Sequence, residues 1–135
     1  MFAYGRMPLA FSARCFTARR FNRQKEDCGF SCLDFPDGMA LATREGKPFL
    51  AVNGTQTQSA GVYCLAEELA ELRAAGAGLL RISPQAANTV EVLHVLRSAC
   101  EGALSSFDAR KALAALAPGR LWNGFWHARP GMEAA

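Results

Sequence analysis

Three of the five cysteines lie near the start of the chain, at Cys15, Cys28 and Cys32, with the spacing C-x12-C-x3-C. Thiolates are the ligands that zinc, Cu(I) and iron–sulfur clusters prefer. A zinc site normally has two closely spaced pairs of ligands, and only Cys28 and Cys32 form such a pair. A cluster tolerates one remote ligand, because each of its irons accepts a thiolate from a different direction. The spacing favours an iron–sulfur site, and the alternative is a set of buried cysteines without metal.

Positive charge is concentrated in the same segment. The chain has 15 basic and 12 acidic residues, which gives a formal net charge of +3. The first 27 residues contain six of these basic residues and two acidic ones, so the rest of the chain is slightly acidic. Cations beside thiolates stabilise an anionic cluster, which supports the iron–sulfur interpretation. The six basic residues are Arg6, Arg14, Arg19, Arg20, Arg23 and Lys25.

A second interpretation comes from the aromatic residues between these cations. Phe16 and Phe21 alternate with four of the arginines. Arginine can bind RNA phosphates while phenylalanine stacks on bases, so the segment is also compatible with RNA contact. Clustered thiols are not needed for that role, and a nucleic-acid binder more often spreads its cations along one face. RNA binding is therefore the alternative, and reduced cysteines without a cofactor are a third possibility.

The remaining candidates for chemistry are isolated. Cys64 and Cys100 each lie alone in patterns of helical spacing, and we interpret them as small buried hydrophobes. His94 lies within a predicted helix and His127 in an aromatic tail, where stacking or a core hydrogen bond is expected rather than a ligand role. The sequence contains no nucleophile elbow, His-Glu-x-x-His motif or glycine-rich phosphate loop. No hydrolase is indicated, and no catalytic residue is assigned.

These residues must be positioned by a mixture of strands and helices. Residues 1–12 predict a buried strand, residues 13–38 an irregular cysteine-rich loop, and residues 39–135 a β-hairpin, βα units and an aromatic tail. The length fits a single domain. No apolar run approaches the ~20 residues of a membrane span. The opening residues do not make a convincing secretion signal, so we expect a cytoplasmic protein.

The helices are predicted from apolar spacing and capping residues. The spacing predicts one helix over 62–75 and a short strand over 79–83. Two further helices begin with the capping boxes Asn88–Glu91 and Ser105–Asp108. This alternation is typical of α/β folds, in which strands usually lie parallel.

Several stretches resemble the collagenase-like peptidase family. GRMPLAFSARC, residues 5–15, precedes the pair Cys28 and Cys32. The later stretches PFLAVNGTQTQSA, LLRISPQ and WNGFWHARPGME are similar, in the same order, to the carboxyl-terminal half of the family's ubiquinone-biosynthesis members. The likeness covers nearly the whole chain, and its most specific part is GRMPLA together with the three cysteines.

The resemblance implies a cofactor and a function. Members of that branch bind a 4Fe–4S cluster through four cysteines, of which Cys15, Cys28 and Cys32 match three. They support oxygen-independent, anaerobic hydroxylation of the ubiquinone ring as a heterodimer with a UbiU-like sister protein, and they are not peptidases despite the family name. Other members act as hydroxylation factors on ribosomal or transfer RNA, which adds weight to the RNA alternative.

The resemblance also implies a TIM-barrel-like (β/α) fold. In the family, the fourth cysteine ligand of the cluster lies in the amino-terminal half of that domain. A whole barrel takes ~250 residues, so we expect a partial barrel that corresponds to the carboxyl-terminal half, with the fourth ligand outside this chain. A truncated chain, a split protein and a non-functional fragment are each compatible with that expectation. A half-barrel would expose strand edges and apolar faces, which favours association.

Overall fold

The computed structural model describes residues 1–24 and 26–134. Contacts divide the chain into two compact units: a helical unit, Met1–Gly5 and the chain from Gly61 onward, and a sheet unit, Arg6–Ala60. In chain order the strands are β1 (Phe2–Gly5), β2 (Pro8–Phe11), β3 (Met39–Ala42), β4 (Pro48–Asn53), β5 (Gln56–Ser59), β6 (Val62–Cys64), β7 (Arg81–Ile82) and β8 (Leu121–Trp122), and the helices are α1 (Phe16–Arg20), α2 (Leu69–Ala74), α3 (Thr89–Cys100) and α4 (Ser106–Leu116), with a 3-10 helix at Ser31–Asp34.

The helical unit is built on a sheet with the strand order β7–β1–β6–β8. β1 lies parallel to β7 and antiparallel to β6, and β6 lies parallel to β8. Helices α3 and α4 pack against each other and bury one face each. Removal of this apolar surface from water is the main favourable contribution to folding of the unit. The core includes Tyr4, Val62, Val92, Leu96, Ala109 and Leu113.

The first twelve residues form two strands rather than the single strand that was expected. β1 pairs within the helical unit, whereas β2 belongs to the second sheet. At the end of β1, Gly5 has a φ of +122°, and a Cβ at this position would lie 2.5 Å from the Cβ of Ser83. Only glycine accommodates both this positive φ and the close contact of the backbone with Ser83. The apolar pattern did not predict this break, because it depends on a contact with a residue far along the chain.

The sheet unit contains an antiparallel sheet with the order β2–β5–β4–β3. β3 and β4 form the predicted hairpin, in which the Thr43 amide donates to the Lys47 carbonyl at 2.8 Å. A second turn at Gly54 and Thr55 leads into β5. Large apolar side chains are exposed on three of the four strands. They are Leu9, Phe11, Leu41 and Phe49.

The predicted helix over 62–75 is correct only in its second half. Residues Val62–Cys64 form β6, which pairs with both β1 and β8, and α2 begins at Leu69. The leucine spacing that suggested a longer helix is still used for burial, since Leu65 and Leu72 are both buried. Valine and tyrosine favour strands, and pairing on both sides outweighs the local helical pattern here.

One of the two predicted helix caps is confirmed. The Ser105 hydroxyl accepts from the Asp108 amide at 3.1 Å and donates to the Asp108 carboxylate at 2.5 Å. The predicted box at Asn88 is wrong, because Asn88 has a left-handed φ of +63° and makes no side-chain cap. The side chain of Asn88 instead donates from Nδ2 to the Leu116 carbonyl at the end of α4, at 3.4 Å.

The fold is a mixed α/β arrangement with two small sheets and is not a closed barrel. Among residues 1–24 and 26–134, parallel pairing occurs only in the helical unit, and the strand pairs of the sheet unit are antiparallel. The barrel-like assignment and the single partial domain stay predictions. Among the described residues, no helix combines the length and apolar composition needed to cross a membrane.

Candidate metal centre

Cys15 is fixed at the start of α1. Its sulfur accepts a hydrogen bond from the Ala18 amide at 3.4 Å, so the thiol caps the helix. The next residue, Phe16, donates its amide to the Gly54 carbonyl at 2.7 Å. Thr17 and Ala18 are buried, and α1 contacts β4. Cys15 is therefore half-buried on a segment that is anchored to the sheet.

Cys28 lies in the loop between α1 and the 3-10 helix. Its carbonyl accepts from Arg23 Nη1 at 3.1 Å and from the Ser31 hydroxyl at 2.8 Å. Gly29 and Phe30, which follow, both have left-handed backbone angles with φ of +57° and +50°. A Cβ on Gly29 would lie 2.5 Å from Arg23 Nη1, so glycine permits the arginine to approach this loop.

Cys32 lies within the 3-10 helix Ser31–Asp34. Its carbonyl accepts from the Phe35 amide at 3.0 Å, and the Phe35 ring stacks on Phe21 with a centroid distance of 5.9 Å. The aromatic pair packs the 3-10 helix against α1. All three predicted ligands thus lie in one compact unit, on two short helices in contact and the loop between them, as half-buried free thiols.

A single metal ion requires three or more ligand side chains around one centre, and the three thiols do not provide this arrangement. Within residues 1–24 and 26–134, no three or more His, Cys, Asp or Glu side chains are grouped so that they could hold a metal ion. A zinc-like site, with all ligands around one ion, is therefore not formed by this part of the chain. The donor type fits an iron–sulfur cluster, whereas the arrangement does not gather the thiols around one centre. The ligand set Cys15, Cys28 and Cys32 stays a prediction.

Cys64 lies apart from this region, on β6 in the core of the helical unit. Burial raises the pKa of its thiol to about 11, which keeps it protonated and unsuited to binding metal at neutral pH. The expectation of a buried hydrophobe is confirmed for Cys64. Cys100, at the end of α3, is half-buried.

An open concavity of about 910 Å³ lies beside Cys15 within the sheet unit. Arg14, Arg19 and Arg23 line it together with Glu26. The positive charge predicted for this segment is thus partly collected on one concave surface. Arg6 and Arg20 are not among the described lining residues, and Lys25 lies outside the described residues.

A second polar cluster was not predicted from the sequence. The Glu68 carboxylate is 4% exposed; its Oε1 accepts from Asn123 Nδ2 at 2.8 Å and lies 2.9 Å from His127 Nε2. Two lone pairs cannot face each other at that distance, so Nε2 carries the proton and donates. Glu68 Oε2 is buried and has no hydrogen-bond partner among the described residues. His127 makes a hydrogen bond, as expected, but the residue itself is exposed and is not part of the core.

The cluster lies at one edge of the sheet for a topological reason. Glu68 follows β6, and Asn123 and His127 follow β8, which is parallel to β6. The carboxyl ends of adjacent parallel strands meet at the same edge, where functional residues often lie in α/β folds. The available signal was polar side chains after both strands, but β6 had been assigned to a helix. The pKa of Tyr63 is raised chiefly by the burial of its hydroxyl and, to a smaller extent, by the negative charge of Glu68.

No model of a known protein family matches the chain, and no solved structure matches it at a significant level. The likeness to the collagenase-like peptidase family therefore depends on the sequence motifs alone.

Proposed function

We propose that this chain is a UbiV-like iron–sulfur accessory protein for oxygen-independent hydroxylation of the ubiquinone ring, working as a heterodimer with a UbiU-like partner. The supporting observation is the placement of three free, half-buried thiols in one compact unit, on two short helices in contact and the loop between them. Cys15, Cys28 and Cys32 would hold a 4Fe–4S cluster, with a fourth ligand from outside this chain. When bound, such a cluster supplies one-electron transfer or a structural link.

The surroundings of the thiols support an anionic cofactor. Arg14, Arg19 and Arg23 line the concavity that also contains Cys15. Arg23 is held on the loop of Cys28 by its hydrogen bond to that residue's carbonyl. Their positive charge would lower the electrostatic cost of an anionic thiolate cluster. Because the thiols are not gathered around one ion, we assign no step of a reaction to this chain, and the proposed role belongs to the hydroxylation system as a whole.

The proposed partner is supported by the exposed apolar side chains of the sheet unit. Leu9 and Phe11 on β2 are 51% and 76% exposed, and Leu41 and Phe49 on the neighbouring hairpin are also exposed. Apolar side chains that are exposed together on one sheet favour association with another protein surface.

Reconstitution with iron and sulfide under anaerobic conditions tests the cofactor. We expect broad visible absorption in the wild type, its loss in Cys28→Ser, and its retention in Cys100→Ser. Cys100 is the matched control, because it is also a half-buried free thiol but lies in the helical unit. A colourless protein that retains zinc would contradict the proposal.

The second candidate is an RNA hydroxylation factor of the same family. The exposed rings of Phe21 and Phe30 near the arginines favour it, since RNA is bound by cations and stacked aromatic side chains. It predicts RNA affinity that falls steeply with salt, measurable by fluorescence anisotropy. Absent binding at low salt would eliminate it.

A further inference from the structure

The concavity beside Cys15 has the composition of an anion site. It lies wholly within the sheet unit and has a volume of about 910 Å³. Three guanidinium groups, those of Arg14, Arg19 and Arg23, line it, against the single carboxylate of Glu26. Positive charge on a concave surface is focused, which raises the local concentration of anions.

Among the described residues, none of these three arginines forms a salt bridge. The salt bridges found among the described residues lie elsewhere, at Arg97–Glu101, Arg110–Glu67 and His127–Glu68. Arg14, Arg19 and Arg23 take part in none of them. Their guanidinium N–H groups are therefore available for a ligand, apart from the one that Arg23 donates to Cys28.

The backbone brings two of the arginines to the same surface. Asn22 ends α1 with a left-handed φ of +51°, and its amide donates to the Arg19 carbonyl at 3.1 Å. The amide of Arg23 then donates back to the Ala18 carbonyl at 2.8 Å. This tight turn folds the chain after α1 back on the helix, so that Arg19 and Arg23 line one concavity. Asn22, Gln24 and Thr55 add neutral hydrogen-bonding side chains to the lining.

We propose that this concavity binds a small phosphorylated molecule through its phosphate groups, and a diphosphate fits best. Arginine forks match phosphate oxygens with two N–H groups each, and three forks suit a ligand with several anionic oxygens. No aromatic side chain is among the described lining residues, so the site has no surface on which a base could stack. The volume is within the range of small-molecule sites. The inference does not depend on the iron–sulfur cluster.

Titration calorimetry of the full, metal-free chain with inorganic pyrophosphate tests the proposal. The wild type is expected to bind at one saturable site. Arg19→Gln should weaken binding at least about tenfold, because it removes a charge-assisted hydrogen bond. Arg20→Gln is the matched control, since Arg20 is the next residue of the same helix but does not line the concavity, and less than about a twofold change is expected.

Two outcomes would overturn the proposal. The first is the absence of saturable pyrophosphate binding, or equal weakening in the two arginine variants, with thermal melting showing that both remain folded. The second is tighter binding of a single-stranded RNA oligonucleotide than of pyrophosphate, with both variants weakening it equally. That result would identify a diffuse nucleic-acid surface instead.

Discussion

Arg23 donates from Nη1 to the carbonyl of Cys28 at 3.1 Å, and the same side chain lines the concavity that contains Cys15. One guanidinium thus connects the surroundings of two predicted cluster ligands that are thirteen positions apart in the sequence. Gly29 makes this contact possible, because any Cβ there would lie 2.5 Å from Nη1. The cation and the thiol loop therefore form one structural feature.

A pair of glycine substitutions tests this contact. Gly29 and Gly46 both have a left-handed φ, +57° and +78°, so alanine strains the backbone by about 1 kcal/mol at either position. Of these two glycines, only Gly29 has a neighbour that an added Cβ would meet, namely Nη1 of Arg23. We expect Gly29→Ala to lower the free energy of unfolding by about 1 kcal/mol more than Gly46→Ala, because it also displaces the charged donor from the Cys28 carbonyl. Equal losses in urea denaturation would show that the contact contributes nothing.

The buried cluster at the sheet edge gives a second prediction. Glu68→Ala removes the buried carboxylate that accepts from Asn123 and contacts His127, and a hydrogen bond to a charged group contributes about 1.5–3 kcal/mol. Glu67→Ala is the matched control, since Glu67 pairs with the partly exposed Arg110 at 2.7 Å and such pairs contribute about 0–1 kcal/mol. Chemical denaturation of the two variants measures the difference. A Glu67→Ala variant as unstable as Glu68→Ala would contradict this account of the cluster.

The raised pKa of Cys64 predicts a dependence of stability on alkaline pH. The folded thiol has a pKa of about 11, whereas an unfolded thiol ionises near its ordinary value of about 8.5. At a pH between these two pKa values, unfolding releases the thiol proton. The contribution of the thiol to stability is therefore complete below the unfolded pKa and is lost as the pH rises towards 11. Wild type should lose about 2 kcal/mol more than Cys64→Ala between pH 7 and pH 10. Parallel stability curves for the two proteins would contradict the assignment.

The pKa of Tyr4 is raised in the same direction, chiefly by burial, and β1 places it beside Cys64. The effect of burial on Tyr4 is present in both proteins, so the difference between them reports the Cys64 thiol together with its charge coupling to Tyr4.

Binding of the proposed partner gives a fourth prediction. Phe11→Ser replaces a side chain that is 76% exposed, so it should leave folding intact while weakening capture of a co-expressed UbiU-like protein. Phe107→Ser is the control, because Phe107 is similarly exposed, at 68%, but lies on α4 of the helical unit. Equal capture by both variants and the wild type would remove β2 as the binding surface.

Local signals in the sequence predicted the local parts of the fold. The hairpin of β3 and β4 and the cap at Ser105 depend on residues a few positions apart, and both are confirmed. Val62–Cys64 was assigned to a helix because the following leucines have helical spacing. Pairing with β1 and β8, which are distant in sequence, decides its conformation instead.

The candidate sites likewise differ in whether their residues lie close together or far apart in the sequence. The cysteines were identified from spacing, and the structure places them in one unit without gathering them around one ion. The cluster of Glu68, Asn123 and His127 was missed, because it joins positions more than fifty residues apart. It could be found only once two parallel strands were known to end at the same edge.

Iron and sulfide bound per chain, measured after anaerobic reconstitution of single cysteine variants with a UbiU-like partner present, tests the central claim most directly. The account predicts that Cys15→Ser, Cys28→Ser and Cys32→Ser each lose the cluster, while Cys64→Ser and Cys100→Ser keep it at the wild-type level. Full cluster content in any of the first three variants would contradict the assignment of that residue as a ligand. Full content in all three would contradict the iron–sulfur proposal for this segment.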